Sequence, residues 1–290
     1  MEVLFETGLV VQRRKRARAQ AADGADFLLR RVAEDLVDRL STVERRFAKA
    51  AVVKGWTPLV AEALAASGKV GDVLRIEADP SFLDEDEGLV ADGDRLPFEP
   101  GSLDLVVSLL NLQEADDMPG QLIQIRRALR PDGLFMACLA GAGTLAELRD
   151  CLLAAETDIM GGASPRIIPF ADVRDIGGLL QRAGFALPVA DVETVGVRYG
   201  DMFGLMRDLR SMGATNPLRG RLKHPTRRAV FLRAAEIYAE RFSDADGRVR
   251  ATFNLVWMSG WAPHESQQKP LKPGSGTISL AEALKSREGS

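Results

Sequence analysis

Cysteine, histidine and tyrosine are scarce in this sequence, each occurring twice, and aromatic residues make up 6% of it. Cys138 and Cys151 are too few for a disulfide framework, and their separation matches no metal motif. His224 and His264 lie far apart in the sequence without an accompanying group of acids, so we expect no protein-bound metal site. The cysteine usage favours a reducing compartment, and we expect a cytoplasmic protein.

Long apolar runs are also missing, since none approaches the ~20 residues that a membrane-spanning helix needs. At the N-terminus the basic run "RRKRARAQ", residues 13 to 20, follows the apolar residues instead of preceding them. Glu2, Glu6 and Asp23 further argue against organelle targeting, so we expect neither a signal peptide nor a membrane span. The net charge of −3 predicts no nucleic-acid partner, and the basic run indicates the solvated face of a helix or, second, a docking patch.

Short apolar runs alternate with amphipathic stretches along most of the chain. This alternation is typical of a mostly parallel sheet with helices on both faces, so we predict an α/β fold. The predicted strands cover residues 47–53, 72–77, 88–91, 103–109, 133–139, 187–197 and 250–261. The predicted helices cover residues 25–46, 57–66, 117–130, 143–158, 171–183, 201–212 and 225–242.

The same pattern predicts how the chain is divided. Residues 1–46 form an N-terminal helical segment, and residues 47–262 form the α/β domain. Two helices at about 200–243 separate the last two strands, so we expect them to form a helical cap over one edge of the sheet. Residues 263–290 are rich in Pro, Gly, Ser and Lys, which predicts a flexible C-terminal tail.

Glycine is scarce where the first strand turns into its helix, at "VVKGWTP". Turns of this kind in nucleotide-binding α/β folds are rich in glycine, and this one has only Gly55. Glu77 ends the next strand, 22 residues after Gly55, at the distance where an acid accepts hydrogen bonds from a ribose diol. The alternatives are an exposed acid at a strand end and a ligand-free helix start, with Thr57 as the cap and Pro58 in the first turn.

A second candidate contact follows the third strand, in "GLVADGDRLPFEPGSLDLVVS". Asp92 stands just beyond this strand, where its carboxylate is placed to accept a hydrogen bond from an adenine amino group. Turn chemistry around Pro97 and the Pro100-Gly101 pair explains the same segment equally well.

Several phrases of the sequence resemble a known family. "VADGDRLPFEPGSLDLVVSLLNL" and "IRRALRPDGLFM" are similar to the region after motif one in class I S-adenosylmethionine-dependent methyltransferases. "SPRIIPFADVRDIGGLLQRAGF", "MFGLMRDLRSMGATN" and "WAPHESQ" resemble a narrower group. That group contains biotin-pathway malonyl-carrier methyltransferases and a mitochondrial factor that assists respiratory complex I assembly.

The resemblance implies a Rossmann-like, seven-stranded sheet with a reversed last hairpin, and S-adenosylmethionine as the cofactor. It assigns no catalytic residue. The expected cofactor contacts are Val53, Gly55, Glu77, Asp92 and Asn111. Motif one departs from the family pattern: Val52 replaces its acid, and Lys54, Trp56 and Pro58 replace its glycines.

Two functions follow from these features. The first is an S-adenosylmethionine-dependent methyltransferase, and the second is a methyltransferase-like assembly or binding factor, with respiratory complex I as a candidate client. Methionines beside arginines in the predicted cap suit a protein or carrier-protein client with acidic groups. Gln113 and Glu114 stand where the family carries a His-Trp pair, and we interpret Asn111 and Gln113 as loop residues that cap the following helix.

Overall fold

The structure, a computed structural model, describes residues 3–83, 88–91 and 93–268 of the 290-residue chain. Asp92 and the predicted tail from residue 269 onward lie outside the described residues. The helices are α1 (Thr7–Gln20), α2 (Phe27–Ser41), α3 (Leu59–Ala66), α4 (Met118–Ala128), α5 (Ala146–Met160), α6 (Val173–Arg182), α7 (Met202–Ser211) and α8 (Arg228–Phe242). The strands are β1 (Phe47–Val53), β2 (Val70–Glu77), β3 (Gly88–Val90), β4 (Leu103–Leu109), β5 (Leu129–Ala140), β6 (Ala186–Tyr199) and β7 (Val249–Trp261).

All seven strands form one sheet in the order β3-β2-β1-β4-β5-β7-β6. The first five strands pair in parallel, whereas β7 runs antiparallel to both β5 and β6. The strand order reverses direction at β1, which places β2 and β4 on either side of it. This arrangement confirms the predicted Rossmann-like sheet and its reversed last hairpin.

The core consists of two apolar layers, one on each face of the sheet. Successive side chains of a strand point to opposite faces, so Val52 joins one layer and its neighbour Val53 joins the other. The first layer collects helices α2, α3 and α5, and the second collects α4 and α6. Because both faces are covered, the central strands β1 and β4 read as nearly continuous apolar runs.

The two helices between β6 and β7 pack onto the first layer. Leu205 of α7 and Ala234 of α8 are fully buried there, and Tyr238 donates its hydroxyl to the Arg250 carbonyl at 2.7 Å. Helix α7 contacts α1, α8 and β6.

The N-terminal segment is fixed to the chain between α7 and α8. Phe5 forms a β-bridge with Leu218, and Arg13 donates to the carbonyl of Thr215 at 2.7 Å. Arg14 donates to the Met212 carbonyl at 2.8 Å. The basic run therefore contributes to an internal contact as well as to the surface. None of the helices in the described ranges combines the length and the apolar composition of a membrane span.

Candidate functional site

A cavity of about 710 Å³ opens beside the carboxyl ends of the parallel strands. Strand β4 contributes Leu109 to its wall, the turn after β1 contributes Trp56, and the loop after β5 contributes Thr144. Open α/β sheets bind ligands at this edge, next to the strand where the order reverses. Ligand pockets in proteins have volumes of about 300–1,000 Å³, so the cavity has the size of a small-molecule site.

The turn after β1 has two residues other than glycine in a backbone conformation that glycine favours. Lys54 has a φ of +50° and Trp56 a φ of +62°, both in the left-handed region that favours glycine. For residues with a Cβ this conformation costs roughly 1–2 kcal/mol, and such strain clusters at functional sites. Leu110 after β4 and Leu145 at the start of α5, with φ of +51° and +54°, adopt it at the same edge.

Gly55 and Thr57 both lie in this turn. A Cβ on Gly55 would come within 3.0 Å of a Val52 methyl, so glycine lets this backbone pack closely on the end of β1. Helix α3 begins at Leu59 after Pro58, and Thr57 does not cap it, so that interpretation was wrong. The Thr57 hydroxyl is buried without a hydrogen-bond partner among the described residues, and it lines the cavity.

Glu77 is fully buried at the end of β2, which excludes the exposed strand-end interpretation. Its Oε2 accepts from the Trp56 backbone N–H at 3.1 Å, and its Oε1 accepts from Arg75 Nη2 at 3.0 Å. Arg75 Nη2 also donates to the Phe82 carbonyl at 2.6 Å. Burial raises the pKa of Glu77 to about 7 although Arg75 and the Trp56 N–H favour the charged form. Both carboxylate oxygens therefore already have donors within the protein, Oε2 in the turn and Oε1 on β2.

The Trp56 side chain is buried beside Phe82, in the segment after β2. Its ring meets Phe82 edge to face, with 5.2 Å between the ring centroids, and Val10 of α1 completes the apolar cluster. The Arg14 guanidinium lies 5.3 Å from the centre of the indole, within the range of a cation–π contact. Lys15 forms an ion pair with Asp79 at 2.7 Å, so α1 lies across the turn and the end of β2.

Lys54 places a buried cation beside the same edge. Its side chain is 7% exposed, and its Nζ lies 3.8 Å from Asp94 Oδ1 in the loop after β3. Burial lowers the pKa of Lys54, while Asp94 and Glu114 oppose that shift. Asp94 is also held by Gln121, whose Nε2 donates to Oδ1 at 2.5 Å.

The segment after β4 brings three polar side chains to the edge. Asn111 is buried and its Nδ2 has no partner among the described residues, and its side chain caps no helix. Gln113 Nε2 donates to the Leu110 carbonyl at 2.8 Å, whereas Asp117 caps α4 by accepting from Gly120 N–H at 2.8 Å. The expectation that Asn111 and Gln113 cap α4 is therefore wrong.

The predicted cofactor contacts meet at this edge to different degrees. Val53 ends β1 fully buried, and its carbonyl accepts from Ser108 at 3.5 Å. Gly55, Glu77 and Asn111 lie around the turn and the end of β4, as described above. Sequence reasoning missed Arg14 and Lys54 as parts of the site. Arg14 gave no usable signal because it lies in a run of similar basic residues far from the strands that it meets.

Within the described part of the chain, no group of three His, Cys, Asp or Glu side chains is arranged to hold a metal ion. The geometry thus consists of a parallel sheet with a reversed last hairpin, a strained turn after β1, an acid ending β2 and a cavity beside β4. This combination defines a protein of the class I methyltransferase type.

Comparisons with known proteins agree with this class. The family described as "Methyltransferase domain" matches residues 55–137. Among solved structures, a Bacillus halodurans protein whose name assigns it to the methyltransferases has a TM-score of 0.54 at 13% identity, over 79% of this chain and 98% of that one. This likeness concerns the fold.

Curated relatives narrow the family. Human arginine-hydroxylase NDUFAF5, mitochondrial, is 37% identical over 89% of this chain and 76% of its own length. The zebrafish protein of the same name is 43% identical over 68% of this chain, which spans 61% of the zebrafish protein. A malonyl-[acyl-carrier protein] O-methyltransferase of Methylovorus is 32% identical over 83% of this chain and 84% of its own length.

The chain belongs to the NDUFAF5 family of methyltransferase-fold proteins, which confirms the predicted S-adenosylmethionine-dependent methyltransferase family. The expected cytoplasmic location is contradicted, because the NDUFAF5 relatives are named as mitochondrial proteins and point to the mitochondrion. The small number of cysteines indicates only a protein without a disulfide framework. Such a protein suits any reducing compartment, so its cysteine content does not identify the cytoplasm.

Proposed function

We propose that the protein is an S-adenosylmethionine-dependent methyltransferase whose cofactor and substrate meet at the carboxyl edge of β1, β2 and β4. The observation that carries the proposal is the cavity of about 710 Å³ at this edge, with unpartnered buried polar atoms in its wall. The matching methyltransferase domain supports the cofactor assignment.

The chemistry of the wall fits the amino-acid end of the cofactor. Arg14 Nε, Trp56 Nε1 and the Thr57 hydroxyl are buried hydrogen-bond donors without hydrogen-bond acceptors among the described residues. Burying a donor without an acceptor costs about 1–3 kcal/mol, so these groups favour a ligand that brings a carboxylate. We assign them, together with the neighbouring Val53 and Gly55, to the amino-acid end.

S-adenosylmethionine, when bound, supplies a methyl group already activated by its sulfonium. The protein therefore has to align the nucleophile with that methyl group and exclude water. Apolar residues around the cavity, including Leu109 and Leu145, serve the second purpose. Asn111 and Glu77 are proposed contacts to the cofactor, as is Asp92, which lies outside the described residues.

Titration calorimetry with S-adenosylhomocysteine tests the proposal. We expect micromolar binding to the wild type, and roughly threefold to tenfold weaker binding to Thr57→Val, which removes one hydrogen bond and keeps the side-chain shape. Thr157→Val is the matched control, because Thr157 is exposed on α5 and donates to the Leu153 carbonyl. If the wild type gave no heat of binding with millimolar S-adenosylhomocysteine, the proposal would be wrong.

A second candidate function, an assembly or binding factor, is favoured by the Glu77 site. Both oxygens of Glu77 are hydrogen-bonded within the protein, one of them to the backbone N–H of Trp56, which stands where the family has a glycine. For this second function, the family resemblance implies a client in respiratory complex I, and we keep that client as the candidate. The carrier-protein methyltransferase among the relatives supports an acidic carrier protein as the client.

The proposed client surface is the helical cap, at about residues 200–243, within the α/β domain of residues 47–262. Arg219, Lys223 and Arg228 are exposed there. Pull-down of the purified, tagged protein with a purified acidic carrier protein tests this surface. If the double variant Lys223→Glu, Arg228→Glu binds the carrier protein more weakly, the result supports this surface. If its binding is unchanged, the client binds another surface.

A further inference from the structure

One part of the cavity wall consists of apolar side chains from the cap and from α5. They come from α5, the loop after it, α7 and α8, and each belongs to the first apolar layer of the core or packs against it. Trp56 lines the cavity too, but it belongs to the separate cluster with Val10 and Phe82. We call this part of the wall the apolar compartment, and it consists of Leu148, Leu152, Ile167, Met206, Leu209 and Phe231.

The protein leaves some of this apolar surface uncovered. Ile167, Met206 and Phe231 are only half-buried, although each packs against the core. The three leucines of the compartment are buried beside them. Apolar area that is removed from water contributes favourable free energy in proportion to its extent. A ligand that covers these half-buried side chains with apolar atoms therefore gains affinity.

The polar groups beside the apolar compartment already have partners. Arg166 precedes Ile167 in the wall, and its Nη2 and Nε donate to the buried Glu156 at 2.6 Å and 3.2 Å. Arg166 Nη1 donates to the Thr226 hydroxyl at 2.7 Å. The described wall residues with buried, unpartnered polar atoms all lie outside the compartment, and they are Arg14, Trp56, Thr57, Gln113 and Glu114. A polar group placed in the compartment would lose its hydration without gaining a partner.

We propose that the apolar compartment binds an uncharged hydrocarbon chain of the substrate, which is therefore a lipid-like amphiphile. The polar end of this substrate lies toward the part of the wall that carries the unpartnered polar atoms. Side chains from four segments line the compartment, which suits a flexible chain better than the flat surface of a partner protein. This inference rests on the proposed function, because it names the class of substrate that shares the cavity with the cofactor.

Calorimetric titration with linear alkanols tests the dependence on chain length. Hexanol, heptanol and octanol have the same head group and differ by one methylene each. Burying one methylene should tighten binding about fourfold, so octanol should bind the wild type about fifteenfold more tightly than hexanol, in a one-to-one ratio. Each titration is run on the free protein and on the protein saturated with S-adenosylhomocysteine.

A diol of the same chain length tests whether the compartment is apolar throughout. Octanediol with a hydroxyl at each end differs from octanol only by the second hydroxyl. That hydroxyl would be buried among apolar side chains without a partner, so we expect octanediol to bind at least about tenfold more weakly than octanol.

One variant assigns the effect to the apolar compartment. Met206→Gln keeps the length of the side chain and adds a polar amide, and we expect it to weaken octanol binding about fivefold or more. Binding of S-adenosylhomocysteine should stay within about twofold of the wild type, because the added amide lies outside the proposed cofactor contacts. Met160→Gln is the matched control, since Met160 is exposed on α5 outside the described cavity wall. Circular dichroism melting shows whether each variant folds.

The outcomes separate this inference from the proposed function. Equal affinities for hexanol and octanol would overturn the inference, and so would octanediol that binds as tightly as octanol. These wild-type titrations decide even if Met206→Gln does not fold. Octanol binding that a folded Met206→Gln leaves unchanged would contradict the assignment to this compartment. If S-adenosylhomocysteine gives no heat while the dependence on chain length persists, the proposed function is wrong and the assignment of the hydrocarbon chain stands.

Discussion

We expect the Trp56→Ala protein to be less stable than the Trp56→Gly protein. In helices and strands the order is usually the reverse, because alanine there is more stable than glycine. Trp56→Ala and Trp56→Gly both remove the buried indole, which packs on Phe82 and under Arg14. We expect each to lose about 3–5 kcal/mol of unfolding free energy for that reason. The two variants then differ only by the Cβ.

The magnitude of that difference follows from the backbone. At a φ of +62° a Cβ costs roughly 1–2 kcal/mol, whereas the greater freedom of glycine in the unfolded chain costs about 0.4–1 kcal/mol. The net expectation is that Trp56→Gly is more stable than Trp56→Ala by about 0.5–1 kcal/mol.

Urea unfolding followed by circular dichroism measures both free energies. The control is Ala65→Gly, at an exposed position of α3, which should lose up to about 1 kcal/mol because its backbone is helical. If Trp56→Ala were as stable as Trp56→Gly or more so, the backbone at this residue would not be strained. The claim that the turn adopts a conformation favoured by glycine would then be wrong.

Three further variants test the electrostatics and the packing. Burial raises the pKa of Glu77 from 4.5 to about 7, so between these pH values the folded state binds more protons than the unfolded state. The free energy of unfolding should therefore fall as pH rises from about 4.5 to 7. Urea unfolding at pH 5 and pH 8 should show a smaller fall for Glu77→Gln than for the wild type. Arg166→Met removes the partner of the buried Glu156 at 2.6 Å and should cost about 2–3 kcal/mol at pH 7, measured by urea unfolding, with a smaller cost at acid pH, where Glu156 is protonated. Tyr238→Phe leaves the Arg250 carbonyl without its donor and should lower the unfolding free energy by about 1 kcal/mol in the same assay, and no loss would exclude a contribution from this bond.

The strands of the sheet could be predicted from sequence because their burial imposes a simple pattern. Central strands covered on both faces need apolar residues throughout, and β1 and β4 occupy the predicted residues, Phe47–Val53 and Leu103–Leu109. Helix boundaries were harder to predict than strand boundaries. Helix α3 begins after Pro58 and not at Thr57, because the preceding turn has a left-handed backbone at Lys54 and Trp56 that a local capping pattern does not indicate.

The site could be predicted only where its residues are local to the strand ends. Gly55 lies just after β1 and Glu77 ends the neighbouring strand β2, so the predicted topology brings them together, and the adjacent Trp56 N–H donates to Glu77 Oε2 at 3.1 Å. The burial of Glu77 could not be predicted, since the donors that satisfy its carboxylate, the Trp56 N–H and Arg75 Nη2, are set by the folded turn and the ion pair. The contact of Arg14 with Trp56 depends on how α1 docks, and no local pattern encodes a contact between distant segments.

The most direct test of the central claim is a crystal structure of the protein grown with saturating S-adenosylhomocysteine. We predict the ligand at the carboxyl edge of β1 and β4, with its carboxylate near the donors of Arg14, Trp56 and Thr57. A structure without ligand at this edge, in which Trp56 and Arg14 keep their present contacts, would contradict the methyltransferase assignment and favour the binding factor.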